Sequence, residues 1–393
     1  MRLSNSVSLL LFVLFSLVQC GRKAPQVEKT MENGVEVVIN HLEPYSLPGI
    51  PSTLRLEEVL SIDTENDDIA KTGLTSMESF CLDGDGNIYI MMSDSPENFI
   101  YKFDASGKFL TSFGRKGQAP GEFDSGGDIL VDEENLVIAK DETKDKFFIF
   151  SKDGVLIEEV KIGAYRSLKR YLGKKKYLTF WMKEDPGKPV LRFHYYISDD
   201  RVRENQEFYL YERDDDRRAP RLRPRANTLV LNSSDKNIFI GDSRQGYEIS
   251  VFDFSGNLVR KIRKAFQPVT FPEDYKGLLK KFLARYSGEE FIKKLDFPEH
   301  LPPFFSLFAD DQGRLYVMTN EKGGGRNYWY DVFSSEGAFI GRFQLDNVQV
   351  KYFEGQRYYD LALPVEVNGD RLYCLREKDS GFIVLTVYRM IWS

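Results

Sequence analysis

Asp83-Gly84-Asp85-Gly86-Asn87 runs directly into Ile88-Tyr89-Ile90, and this turn-then-strand unit returns along the chain. Asp311-Gln312-Gly313-Arg314 precedes Leu315-Tyr316-Val317, and Asn368-Gly369-Asp370-Arg371 precedes Leu372-Tyr373-Cys374. Fainter copies lead into Leu136-Val137-Ile138, Tyr177-Leu178-Thr179-Phe180 and Ile238-Phe239-Ile240. From Ile88 to Leu372 the starts are separated by 48, 41, 61, 77 and 57 residues. A period of roughly 40–50 residues marks propellers and solenoids, whose units bury their apolar faces against one another.

Each start is followed by an aromatic strand that enters a glycine turn. Ile100-Tyr101-Lys102-Phe103 before Gly107, Phe147-Phe148-Ile149-Phe150 before Gly154, Ile249–Phe254 before Gly256 and Tyr330–Phe333 before Gly337 are the copies. Alternating apolar strands bounded by Asp, Ser, Asn and Gly read as hairpins. Two hairpins per unit make one four-stranded blade. Six starts therefore predict an all-β fold, a six-bladed β-propeller of four-stranded antiparallel blades over residues 53–393. The third unit reads as degenerate, with Val190–Ile197 followed by Ser198-Asp199-Asp200 and no glycine turn.

A ring must close, because open sheet edges invite aggregation. Leu54–Ile62 alternates imperfectly ahead of the first start and is expected to supply the outer strand of the last blade. Phe382–Tyr388 would lie just inside it. The widest gap, between blades 4 and 5, holds a helical insertion at about 270–305. Pro272-Glu273-Asp274 opens it, and Leu278, Leu279, Phe282, Leu283 and Tyr286 share one helical face. Phe291, Ile292 and Leu295 continue on a second short helix.

Residues 1–19 read as a signal peptide: Arg2, then an apolar run from Leu9 to Val18 too short to span a bilayer comfortably. Residues 20–52 read as a tether and pre-blade segment, with polar Gly21–Gly34 as a flexible connection. The net charge of −6 lacks the concentrated basic footprint of nucleic-acid binders, so no nucleic acid is expected. Cys81 and Cys374 lie in apolar strands and are read as small buried hydrophobes with free thiols.

Two resemblances follow. Leu17-Val18-Gln19-Cys20-Gly21 resembles the lipobox of bacterial lipoproteins, which implies lipidation of Cys20 and attachment to the cell envelope, at the outer membrane or periplasmic face. Ordinary cleavage and release as a soluble periplasmic or secreted protein is the alternative. Phe113-Gly114-Arg115-Lys116-Gly117-Gln118-Ala119-Pro120-Gly121-Glu122-Phe123 resembles the inter-blade segment of NHL-type repeats. The whole layout is similar to six-bladed β-propeller lipoproteins of bacteria, which implies envelope location and binding and carries no catalytic motif.

The chemistry-bearing residues are sparse. Asp83–Asn87 lacks the acidic spacing and twelfth-position Glu of a calcium loop and reads as a hairpin turn. His41, His194 and His300 lie far apart and have no metal-ligand spacing. Asp128, Asp242 and Asn237 fall near expected inner-strand ends, where a metal-dependent hydrolase or lyase of the lactonase-like propeller type would hold a cation; that is the alternative function. The favoured expectation is a non-catalytic, monomeric binding scaffold for an envelope protein, peptide or saccharide, with no cofactor. The candidate contacts are Arg217, Arg218 and Arg221, in the run after Arg213-Asp214-Asp215-Asp216, and the aromatics Tyr328 and Trp329.

Overall fold

Six four-stranded antiparallel blades follow one another along the chain; five keep the simple order of their strands, the sixth takes its last strand from the other end, and the sheet of one blade is extended by two further strands. The structure, a computed structural model, describes residues 27–163, 166–184, 190–199, 204–214, 229–234, 236–286, 288–323, 327–346, 348, 350–353 and 356–393. Blade 1 comprises Ser79–Leu82, Ile88–Met91, Asn98–Phe103 and Phe109–Arg115. Blade 2 comprises Gly126–Val131, Val137–Asp141, Lys146–Phe150 and Leu156–Lys161. Blade 3 is formed by Arg166–Gly173, Lys176–Glu184, Val190–Asp199 and Glu204–Asp214. Blade 4 is formed by Leu229–Ser233, Asn237–Asp242, Glu248–Asp253 and Leu258–Lys264. Phe304–Ala309, Leu315–Lys322, Asn327–Phe333 and Phe339–Asp346 make blade 5.

Blade 6 closes the ring. Its inner strands are Val365–Asn368, Arg371–Glu377 and Ile383–Trp392, and its outer strand is Leu54–Asp63 from the other end of the chain. The register pairs Leu385 with Ile62 and Ile391 with Arg55, as the sequence leads one to expect. The apolar cores lie between blades: Phe99, Phe123, Phe148 and Phe150 fill the space between blades 1 and 2. Leu178 and Ile197 meet Ile238, Ile240 and Phe252 between blades 3 and 4.

The turn chemistry explains the repeat. Asp83 Oδ1 accepts the backbone N–H groups of Asp85 at 3.0 Å and Asn87 at 2.9 Å. Asp104, Asp132, Asp253 and Asp310 each do the same two and four residues on. The carboxylate replaces water on otherwise unpaired turn amides, so aspartate recurs for a structural reason.

Two features depart from expectation. Part of the tether and pre-blade segment forms a hairpin, Glu28–Glu32 with Val35–Asn40, whose second strand adds in parallel to the outer strand of blade 4. Asn33 and Gly34 have φ of 50° and 82°, the left-handed pair that a two-residue hairpin turn requires. Val37 and Val38 become fully buried. Blade 3 is not degenerate: its strands, 8 to 11 residues long, exceed the 5 or 6 of blade 2. Their outer parts still bury Leu191 and Tyr211, at 6% and 5% exposed. Arg213 and Asp214 accordingly end a strand instead of opening a loop.

The helical insertion is observed as Glu273–Tyr286 and Glu289–Lys293. Phe271, Tyr275 and Leu279 form its own small core, packed by Leu283, Phe297 and Leu301. A second insertion, the hairpin Val350–Phe353 and Gln356–Ala362, stands between blades 5 and 6.

Candidate functional site: the channel mouth and blade 3

Strand alternation sorts the connections onto two faces of the ring. Turns from first to second and third to fourth strands share one face and are short, as at 83–87, 104–108, 132–136 and 310–314. The opposite face receives the inter-blade segments, including 64–78, 116–125, 265–303 and 347–364. Both insertions therefore lie on the face where the inner strands begin.

Those six inner strands enclose a cavity of about 550 Å³, the central channel. Its polar lining includes Ser79, Asp128, Lys169, Arg170, Asn232 and Glu366, each on a blade's first strand. The inner strands of blades 2, 3 and 5 break register near their starts, at 126–129, 168–170 and 304–306. A bulge bends the strand and re-aims a side chain, and such bulges gather beside functional sites. Two of them carry Asp128 and Lys169. Gly126 allows the close approach that starts this strand, because a Cβ there would collide with the Met92 carbonyl oxygen.

Lys169 Nζ lies 3.0 Å from Asp128 Oδ2, and Ser167 Oγ hydrogen-bonds the same oxygen. Burial works against the Asp128 charge, but Lys169, the Ser167 hydrogen bond and Lys140 outweigh it and hold this carboxyl below the usual range. Arg170 lines the channel with no hydrogen bond or ion pair among the described residues. The channel wall thus presents a carboxylate already neutralised by a lysine, and also a guanidinium that is unpaired among the described residues. That arrangement suits an anionic or polar ligand.

The expected site residues are distributed differently. Cys20, Arg217, Arg218 and Arg221 lie outside the described residues. Tyr328, expected to be exposed, is 3% exposed and belongs to the core around blade 5. Its burial follows from the inward side of a third strand between two blades. Trp329 points the other way and is half-buried, with the Arg342 guanidinium 5.1 Å from its ring centre. Asp128 does line the channel. Asp242 does not: it is buried against Arg244 and accepts the Tyr209 hydroxyl at 3.0 Å. Asn237 lies at the opposite end of the same strand, beside a smaller cleft between blades 4 and 5. Among the described residues no three His, Cys, Asp or Glu side chains gather as a metal-binding group. Cys81 and Cys374 are buried free thiols, and burial pushes the Cys374 thiol up to about 12.

Lys169, Arg170 and the blade-3 pair Arg166 and Trp181 escape a reading by motif. They are separated contacts on ordinary strands, and the run Arg166–Tyr171 offers no spacing that marks it. The signal available is the length of the blade-3 strands.

Residues 66–218 match the family model described as 6-bladed beta-propeller (DUF5128). The fold is that of a six-bladed propeller. A member of the duf4221 family from Bacteroides vulgatus is similar at a TM-score of 0.51 and 10% identity, covering 87% of this chain and 100% of that one. A protein of Bacteroides fragilis described as exported shows 13% identity over 90% of this chain and 99% of its own, with a TM-score of 0.48. Virginiamycin B lyase of Staphylococcus aureus gives a TM-score of 0.37 at 11% identity, over 86% and 100% of the two chains. At these identities the likeness is one of fold. No curated protein sequence matches the chain.

Proposed function

We propose that this protein is an exported, lipid-anchored scaffold of the cell envelope that binds its ligand non-catalytically at the channel mouth and the adjoining blade 3. The observation that carries this reading is the asymmetry of the ring. One face is closed by tight hydrogen-bonded turns; the other holds both insertions, the bulged inner strands and Arg170, whose side chain is unpaired among the described residues. A rigid ring that gathers its irregular segments at one end is suited to recognition. The leader ending at Cys20 supports export and anchoring, and among the described residues no helix is long and apolar enough to cross a membrane. The ligand is an envelope protein, peptide or saccharide, bound by a monomer.

Two measurements test this. Metabolic labelling with a fatty acid should mark the protein, and Cys20→Ala should abolish the label. Purified protein should bind a defined envelope component saturably, with Lys169→Glu at the channel mouth weakening it. A stoichiometric divalent cation whose removal abolishes a hydrolytic or lyase activity would sink the scaffold reading.

A further inference from the structure

Blade 3 emerges from the ring on the side facing blade 2. Along its second strand, Tyr177 and Thr179 are 2% and 3% exposed, Trp181 is half-buried and Lys183 is exposed. Leu168 and Tyr177 pack against Ile138, Phe147 and Ile149 of blade 2, whereas the next row out has no such partner in that core. That row is continuous across three strands: Arg166 pairs with Trp181, and Trp181 with His194.

Its side chains are arranged unusually for a solvated sheet face. The Arg166 guanidinium carbon lies 3.3 Å from the Trp181 ring centre, and Lys183 Nζ lies 4.3 Å from the same centre. Each is attracted by the indole's negative face. Neither has an ion-pair partner among the described residues, although nearby cations do: Arg192 with Glu212 at 2.6 Å and Lys169 with Asp128 at 3.0 Å. Two buried polar atoms of the row, Arg166 Nε and His194 Nε2, have no hydrogen-bond partner among the described residues. His194 is held from behind, with Nδ1 2.8 Å from Glu207 Oε2 and its ring stacked on Tyr196. Burial also lowers the Arg166 pKa, which is the mark of a cation partly stripped of water. Orphaned buried polar atoms call for an explanation: the Arg166 guanidinium fork is suited to a carboxylate, and His194 Nε2, with Nδ1 donating to Glu207, is left to accept a hydroxyl.

We propose that Arg166, Trp181, Lys183 and His194 form a binding site for the carboxylate of an acidic saccharide, an oligouronate. Charge complementarity selects the acid: two cations without an ion-pair partner among the described residues converge on one indole, with an imidazole nitrogen beside them. The place in the sheet selects the saccharide. An extended peptide gains its main-chain hydrogen bonds at a sheet edge, but this row lies on the face, where side chains alone are offered. A sugar ring carrying a carboxylate requires only side-chain donors and acceptors, which this row offers. The proposal rests on the reading of the protein as a binding scaffold and gives that scaffold a ligand class.

Calorimetric titration of the full protein with oligogalacturonate tests it, alongside a neutral oligogalactan of equal length, an oligoglutamate peptide and inorganic phosphate. The acidic saccharide should bind, and its affinity should fall as salt rises, because exposed charges are screened. Lys183→Gln, at an exposed position that leaves folding intact, and Arg166→Gln should each weaken binding about tenfold, the loss of one charge-assisted hydrogen bond. Unchanged affinity in Lys183→Gln would overturn the site, as would equal binding of the neutral oligogalactan, the oligoglutamate or phosphate. Absence of binding would likewise remove the site but leave the scaffold reading standing. Shortened saccharide chains found by mass spectrometry after titration would overturn the non-catalytic reading and retain the site.

Discussion

Asn40 Oδ1 accepts the backbone N–H of Phe339 at 2.8 Å, a contact between residues 299 positions apart. The same side chain donates from Nδ2 to the carbonyls of Arg263 at 3.1 Å and Gly337 at 3.0 Å. One buried amide thus ties the N-terminal hairpin to blades 4 and 5. Asn40→Ala leaves these backbone groups buried without partners, and is expected to cost about 3 kcal/mol of stability. Chemical denaturation checks it; a loss within experimental error would mean that water replaces the amide.

Lys264 and Asp331 pair across blades 4 and 5 at 3.4 Å, with side chains 3% and 2% exposed. Tyr247 donates its hydroxyl to the same carboxylate at 2.8 Å. Lys264→Met leaves the buried Asp331 carboxylate only the longer Arg342 pair at 3.5 Å, and should destabilise by about 3 kcal/mol. The double variant Lys264→Met, Asp331→Leu should recover part of that loss. A double variant as unstable as the single one would show that the cost lies in packing.

The Asp128 carboxyl is held below the usual range although burial opposes its charge, because Lys169 and Ser167 favour the charged form. A lowered folded-state pKa stabilises above the unfolded pKa, and that stability is lost as pH falls through the folded value. Carbon-13 NMR of the carboxyl should therefore show titration below the ordinary 3.8 of aspartate. Lys169→Gln should move it upward, and no movement would assign the shift to Ser167 instead.

Gly86 sits at a φ of 78° in the turn that Asp83 closes. Gly86→Ala should cost about 1–2 kcal/mol, the penalty for a side chain in left-handed backbone. Because the Asp83 oxygens are taken up by turn amides, calcium should leave the melting temperature of the wild-type protein unchanged. A calcium-dependent rise would return the turn to the status of a metal loop.

Removal of residues 1–63 deletes the outer strand of blade 6, exposing Ile383–Trp392 as an open edge. That variant should aggregate, whereas a variant lacking residues 1–26 should remain monomeric by light scattering. Equal behaviour of the two would mean that ring closure is dispensable.

The blades were legible because their signals are local. A carboxylate binding amides two and four residues on, followed by apolar alternation, needs no distant partner to be recognised. Ring closure followed from counting: Leu54–Asp63 had no other sheet to join. The Asn33-Gly34 turn was equally local, but the charges of Glu28–Glu32 disguised an edge strand as a tether. Blade 3 was misjudged for a tertiary reason. Its strands are longer than those of blade 2, and the row beyond Leu168 and Tyr177 does not join the apolar core shared with that blade.

The sequence by itself determined six blades, the strand that closes them and the position of the helical insertion, since backbone hydrogen bonding and side-chain alternation operate over a few residues. Only the tertiary structure decided that Tyr328 is core, that Asp128 meets Lys169 on the channel wall, and that Arg166 and Lys183, without ion-pair partners among the described residues, meet at Trp181. Those outcomes depend on how far one sheet extends past the next and on which strands bulge. Both are fixed by packing between blades, where residues brought together can lie 41 or 299 positions apart in the chain.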